Sequence, residues 1–249
     1  MTVNKLKLNM DKTEFLIIGS SHHLKNLPPL QLQVDNTTVE PVDNVRNLGI
    51  YFDQTMSMDK QVAELCRRLN YQIHNIARIR RYLDSETCHH IIRSLVTSRM
   101  DYGNSLLTGI TETHLHKLQR IQNKAARIIY GLRRREHITP YLHTLHWLPV
   151  RQRINFKLLV LIYQSIHHEA PVYLYNDICL HSSTVTNTRI LRSAMDTTRL
   201  HIPKTSKTIG DQAFYVAGPR TWNTLPISIR EAPTTNTFKS LLKSYLYPY

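Results

Sequence analysis

DKQVAELCRRLNYQIHNIARIRRYL, residues 59–83, is the stretch in which the hydrophobic period of this chain changes. Val62, Leu65, Leu69, Ile73, Ile76, Ile79 and Leu83 recur every three or four residues. That spacing lays an apolar stripe down one side of an α-helix of about 25 residues. Upstream the period is two. Leu30, Leu32 and Val34 alternate with Gln31, Gln33 and Asp35, the pattern of a half-buried strand. Asp35-Asn36 is a turn candidate, and Thr37-Thr38-Val39 would return as the second arm of a hairpin. Residues 13–18 and 45–52 (VRNLGIYF) read as further strands, with Gly49 permitting a bend or bulge. The fold class expected is therefore α+β: a small N-terminal antiparallel sheet followed by a mainly helical region.

Downstream the helical period persists. Asp84-Ser85 caps a helix with Ile91, Ile92, Leu95 and Val96 inward, which should stop near Tyr102-Gly103-Asn104. A helix over 112–130 carries Leu115, Leu118, Ile121, Ala125, Ile128 and Ile129 on one face, with Gly131 as its terminating residue. Another, over 152–168, turns Ile154, Leu158, Leu161, Ile162 and Ile166 inward, and a short one over 236–246 closes the chain. HSSTVTNTRILRS, after about 178, reads as a loop. The organisation expected is 1–55, 56–178 and 179–249.

The charge balance narrows the partner. Lys and Arg number 32 against 18 Asp and Glu, a net charge of +14, which points to a polyanion, nucleic acid first. A merely basic protein is the plainer alternative. The three cysteines, Cys66, Cys88 and Cys179, are widely spaced, with no zinc-type cluster, and fit inert thiols in a reducing, intracellular compartment, cytoplasmic or nuclear. The longest aliphatic run, residues 158–162, is far short of the roughly 20 residues of a spanning helix, so no membrane partner is expected. Seven dispersed glycines form neither a P-loop nor a dinucleotide fingerprint, and no small-molecule substrate is indicated.

The helix over 112–130 holds the most informative charges. Lys117, Arg120, Lys124 and Arg127 follow i, i+3, i+7, i+10 and share one face beside the apolar stripe, and Arg133, Arg134 and Arg135 extend the charge past its end. Acids are nearly absent between 113 and 135. An ordinary solvated face mixes both signs, whereas phosphate contact needs one. Arg78, Arg80 and Arg81 form a second cluster that a helix dipole explains as well as nucleic acid does. The histidine pairs 22–23, 89–90 and 167–168 point to different helix faces and do not chelate. His143 and His146 have helical spacing but no carboxylate close by, so no metal site is expected. Trp147 and Trp222 each have an arginine nearby; a core position suits them better than base stacking. Two-metal nucleotidyl transfer needs converging carboxylates, and the acids here are scattered.

Read in order, the segments NKLKLNMDKTEFLIIG, VRNLGIYFD, YQIHNIARIRRYL, SRMDYGNSLLTG, LQRIQNKAARII, LHWLPVRQRINFKLLVLIYQ, APVYL, LRS and GPRTWNTLPISIR resemble the region after the catalytic centre in reverse transcriptases of non-LTR (LINE-type, jockey-like) retrotransposons. The resemblance runs almost end to end. It implies an RNA-directed DNA polymerase whose metal-binding aspartates precede the NxxKTE segment, with Met1 standing at the Met of a Trp-Met pair, so that the chain begins after them. It implies that residues 1–55 are a palm remnant and that the following helices are a thumb tracking template–primer. Lys12 would match the lysine thought to protonate departing pyrophosphate, and Leu48-Gly49 the primer grip. Mg²⁺ belongs to the parent polymerase, and no cofactor is expected in this chain. The expected function is nucleic-acid binding without synthesis. A host-retained RNA- or DNA-binding module and a helical domain for an acidic protein partner are the alternatives.

Overall fold

The computed structural model describes residues 9, 12–34, 37–183, 198–206 and 208–247. It is α+β: antiparallel hairpins near the N-terminus, then helices. The chain forms two compact units, Met1–Glu64 and Leu65–Tyr249.

In the first unit the strands pair as hairpins. β1 (Leu32–Val34) runs antiparallel to β2 (Thr37–Val39), with Leu32 opposite Val39 and Val34 opposite Thr37. The Asp35-Asn36 turn expected between them lies outside the described residues. β3 (Asn44–Asn47) pairs with β4 (Ile50–Asp53), Asn47 opposite Ile50. Residues 45–52 are thus two strands and not the single bent strand expected. Leu48 (φ 47°) and Gly49 (φ 85°) form the two-residue turn, both left-handed as a type I′ turn requires. The strand expected over 13–18 reduces to one parallel bridge, Phe15 with Pro41, and the short helix α1 (Ser21–Lys25) follows it. The apolar face expected over residues 30–34 is only partly covered: Leu30 and Leu32 are 40% and 43% exposed, and Val34 is half-buried.

The helical period was the firmer guide. α2 (Asp59–Ile79) continues as a 3₁₀ turn, Arg80–Tyr82, and buries Leu65, Leu69, Ile73 and Ile76. Asp84 caps α3 (Ser85–Ile92), its carboxylate accepting from Thr87 N at 2.6 Å. A π-turn, Arg93–Thr97, joins α3 to α4 (Ser98–Asp101), and Gly103 (φ 62°) turns the chain into a 3₁₀ segment, Asn104–Leu107. Then come α5 (Glu112–Tyr130), α6 (Thr139–Thr144), α7 (Val150–Ile166) and α8 (Val172–Ser183). Helix α8 takes up the first residues of the expected loop; 184–193 lie outside the described residues. α9 (Thr208–Gln212), α10 (Phe214–Trp222), α11 (Ile227–Arg230) and α12 (Thr235–Leu246) complete the unit.

α7 is the hub of this unit. It packs against α5, α8, α10 and α12 and the Asn104–Leu107 turn. That is why Ile154, Leu158, Leu159, Val160, Ile162 and Tyr163 are all buried and the helix shows no single apolar stripe. Tyr163 stacks on Phe238 with centroids 4.3 Å apart, Trp222 lies 5.8 Å from Phe238, and the Tyr163 hydroxyl donates to Ala232 O at 2.6 Å. Both tryptophans are core: Trp147 is 7% and Trp222 2% exposed. Trp222 Nε1 donates to Thr198 O at 2.9 Å, and the Asn223 amide pairs with both main-chain groups of Leu200. Among the described residues no helix is long and apolar enough to cross a membrane.

Candidate nucleic-acid interface

Helix α5 is set by its own ends. Thr111 Oγ1 accepts from His114 N at 3.4 Å, and Gly131 (φ 65°) closes the far end. There Leu132 N donates to Arg127 O at 2.9 Å and Gly131 N to Ile128 O at 3.3 Å, a Schellman motif. Leu115, Leu118, Ile121, Ala125 and Ile129 are buried, which turns Lys117, Arg120 and Lys124 outward and leaves Arg127 half-buried. The stripe from Lys117 to Arg127 runs about 15 Å along the helix axis.

Opposite the stripe lies the second half of α2. The two helices flank a groove of about 930 Å³, walled by Asn70, His74 and Ala77 on α2, by Arg120, Asn123, Lys124 and Arg127 on α5, and by Arg134 beyond it. No carboxylate is among its lining residues. Lys124 Nζ donates to Asn70 Oδ1 at 3.0 Å, and Arg127 Nη2 to Glu136 O at 3.1 Å; both acceptors are neutral oxygens. The buried Arg127 Nε has no acceptor. Lys117 stands at the edge: burial pushes the Cys66 thiol up, and the charges of Lys117 and Lys124 partly offset that rise.

Among the described residues none of Lys117, Arg120, Lys124, Arg127, Arg133, Arg134 and Arg135 forms an ion pair. Like charges held on one concave face repel one another, and an anion in the groove relieves that repulsion. Of the three arginines after α5, Arg134 lines the groove; Arg133 and Arg135 are exposed on the loop beside it. Glu136 shapes that loop by accepting from Arg133 N at 2.6 Å.

The second basic cluster divides. Arg80 is structural: its guanidinium donates to Ile128 O at 2.7 Å and Ile129 O at 2.8 Å, adding donor partners for the last-turn carbonyls of α5. Arg78 and Arg81 are exposed, Arg81 lying over the Tyr82 ring at 4.6 Å. The residues matched to polymerase roles belong to the Met1–Glu64 unit. Lys12 is exposed in a short turn where Lys12 N donates to Asn9 O at 3.2 Å. Leu48, 83% exposed, and Gly49 form the β3–β4 tip.

Asn70, His74 and Asn123 were missed as groove residues. Asn70 and His74 lie four apart on α2, but nothing in their spacing says which helix faces them. Other segments of the resemblance have structural work. Gln119 Oε1 accepts from Val150 N at 2.9 Å and Gln122 Nε2 donates to Leu148 O at 2.9 Å, fixing the start of α7 against α5. Arg153 grips Asp101 with two hydrogen bonds, Nε to Oδ1 at 2.9 Å and Nη2 to Oδ2. Among the described residues no group of three or more His, Cys, Asp or Glu could hold a metal ion. No family model, no curated protein and no solved structure matches the chain.

Proposed function

We propose that the chain is the part of a LINE-type reverse transcriptase that follows the catalytic centre, and that it grips the phosphate backbone of RNA or DNA in the α2–α5 groove. The observation that carries the binding role is the groove, carboxylate-free in its lining, in which Arg120, Lys124, Arg127 and Arg134 converge without ionic partners among the described residues. Phosphates entering it displace counterions and lie against the Arg120, Lys124, Arg127 and Arg134 side chains that line it. In this reading Lys12 and Leu48-Gly49 serve only within an intact polymerase, whose Mg²⁺-binding aspartates lie elsewhere. The chain alone performs no template-directed synthesis with Mg²⁺ or Mn²⁺. Incorporation above a mock preparation, lost with a heat-inactivated sample, overturns that part.

The test of the groove is the salt dependence of RNA affinity. Replacing Lys117, Arg120, Lys124 and Arg127 together by Gln lowers affinity and flattens the plot of log K against log salt. The slope falls by up to roughly 0.7 per lost contact on a single strand and 0.9 on a duplex. An unchanged slope rejects the groove and favours an acidic protein partner. A host-retained binding module predicts the same slopes, and selection on its codons separates it from a decaying polymerase copy.

A further inference from the structure

A second recess, independent of the groove, lies where α7 and α12 meet the turn after α4. Its volume is about 400 Å³, and Asn104, His146, Phe156, Lys157 and Lys243 are among its lining residues, with the paired Asp101 and Arg153. A neighbouring recess of about 370 Å³ shares His146 and Lys243. Arg153 is neutralised by Asp101. Lys157 and Lys243 are exposed and have no ion pair among the described residues, so the recess carries net positive charge.

His146 is the telling residue. It ends α6 in a Schellman motif: His146 N donates to His143 O at 2.8 Å and Trp147 N to Leu142 O at 3.0 Å. Its φ is 51°, at a position where glycine is the ordinary choice. The strained backbone holds an imidazole at the junction of the two recesses, and an observed outlier of this kind is a reason to look for function. Two further features shape the ligand. Phe156, half-buried, offers an aromatic surface. Asn104, 4% exposed, donates Nδ2 to Asp101 Oδ1 at 3.3 Å, while its buried Oδ1 has no partner. An open acceptor in the wall favours a ligand carrying N–H or O–H groups over a bare anion.

We propose that this recess binds a nucleotide, its phosphate among His146, Lys157 and Lys243 and its base against Phe156. The nucleotide is either free or the 5′-phosphorylated end of a strand. Calorimetry of the full chain uses adenosine 5′-monophosphate, inorganic phosphate, and one short single-stranded RNA with and without a 5′-phosphate. Adenosine monophosphate binds at least tenfold tighter than inorganic phosphate. The paired change Lys157→Gln and Lys243→Gln, both on exposed side chains, weakens it at least tenfold. His146→Gly weakens it at least fivefold while the melting temperature stays at or above that of the parent, since glycine suits that backbone. Neutralising the groove stripe leaves it unchanged. A 5′-phosphate effect on RNA affinity that the paired Lys change abolishes identifies the strand end as the source; its absence, with the monophosphate bound, identifies the free nucleotide. The proposal is overturned if the monophosphate does not bind, if its affinity survives either recess variant, if inorganic phosphate binds as tightly, or if the groove variant removes it.

Discussion

Gly218 shows how little room the helical unit leaves. A Cβ at this position would lie 2.3 Å from Ile162 Cδ1, and Ile162 is fully buried. Gly218→Ala should therefore destabilise by about 1–3 kcal/mol through overpacking. Ile162→Val, which removes that methyl, should recover part of the loss in the double variant; urea unfolding of the four proteins checks the cycle. Asp53 is a second residue with a defined cost. Burial raises its pKa, but hydrogen bonds from Ser57 N, Thr55 Oγ1, Met58 N and Thr55 N together outweigh it, and the carboxyl ends below its ordinary value. A folded-state pKa below the unfolded one means stabilisation that is complete above the unfolded pKa of about 3.9 and lost as pH falls through the folded value. Stability measured from pH 6 downward should show this loss in the parent. Asp53→Ala should remove it, at a cost of about 2 kcal/mol at neutral pH.

Among the elements, the β3–β4 hairpin carries the clearest conflict between residue and backbone. Leu48 sits at φ 47° with 83% of its surface exposed, so it takes left-handed strain without burial in return. Leu48→Asn should stabilise the hairpin by about 1 kcal/mol, because Asn-Gly is the favoured type I′ pair. Amide exchange across the Asn47–Ile50 pair would report it. The same conflict explains why the turn was not legible: a leucine gives no turn signal, so VRNLGIYF reads as one strand bent at Gly49. α5 was legible from Glu112 to Tyr130 because its apolar period and its stop at Gly131 are local signals; its cap at Thr111 adds a third. α8 was not, because its stability comes from packing on α7 and α10, which no nearby residue announces.

For the whole molecule, the net charge of +14 is a statement about partners before it is one about fold. The cationic stripe could be read from spacing, since four residues at i, i+3, i+7 and i+10 must share a helix face. The groove could not, because it exists only once the second half of α2 lies beside α5, 50 residues away in sequence. The pairing of Asp101 with Arg153 was hidden for the same reason, being 52 residues long-range. What distant pairing adds is the concavity: the charges become part of a walled channel with polar side chains on both helices.

The Arg80 clamp gives that channel a mechanical character. One guanidinium, following directly on α2, is fastened to the main-chain oxygens of Ile128 and Ile129 at the end of α5, and also donates to Leu83 O at 2.5 Å. Main-chain oxygens do not change rotamer, so at this end the spacing between the two helices is pinned like the rivet of a pair of tongs. At the other end the jaws are joined by the longer, single-point reach of Lys124 to Asn70. Of the two ends, the one at Arg80 is therefore the more firmly tied, and the width of the channel is set there by three main-chain oxygens.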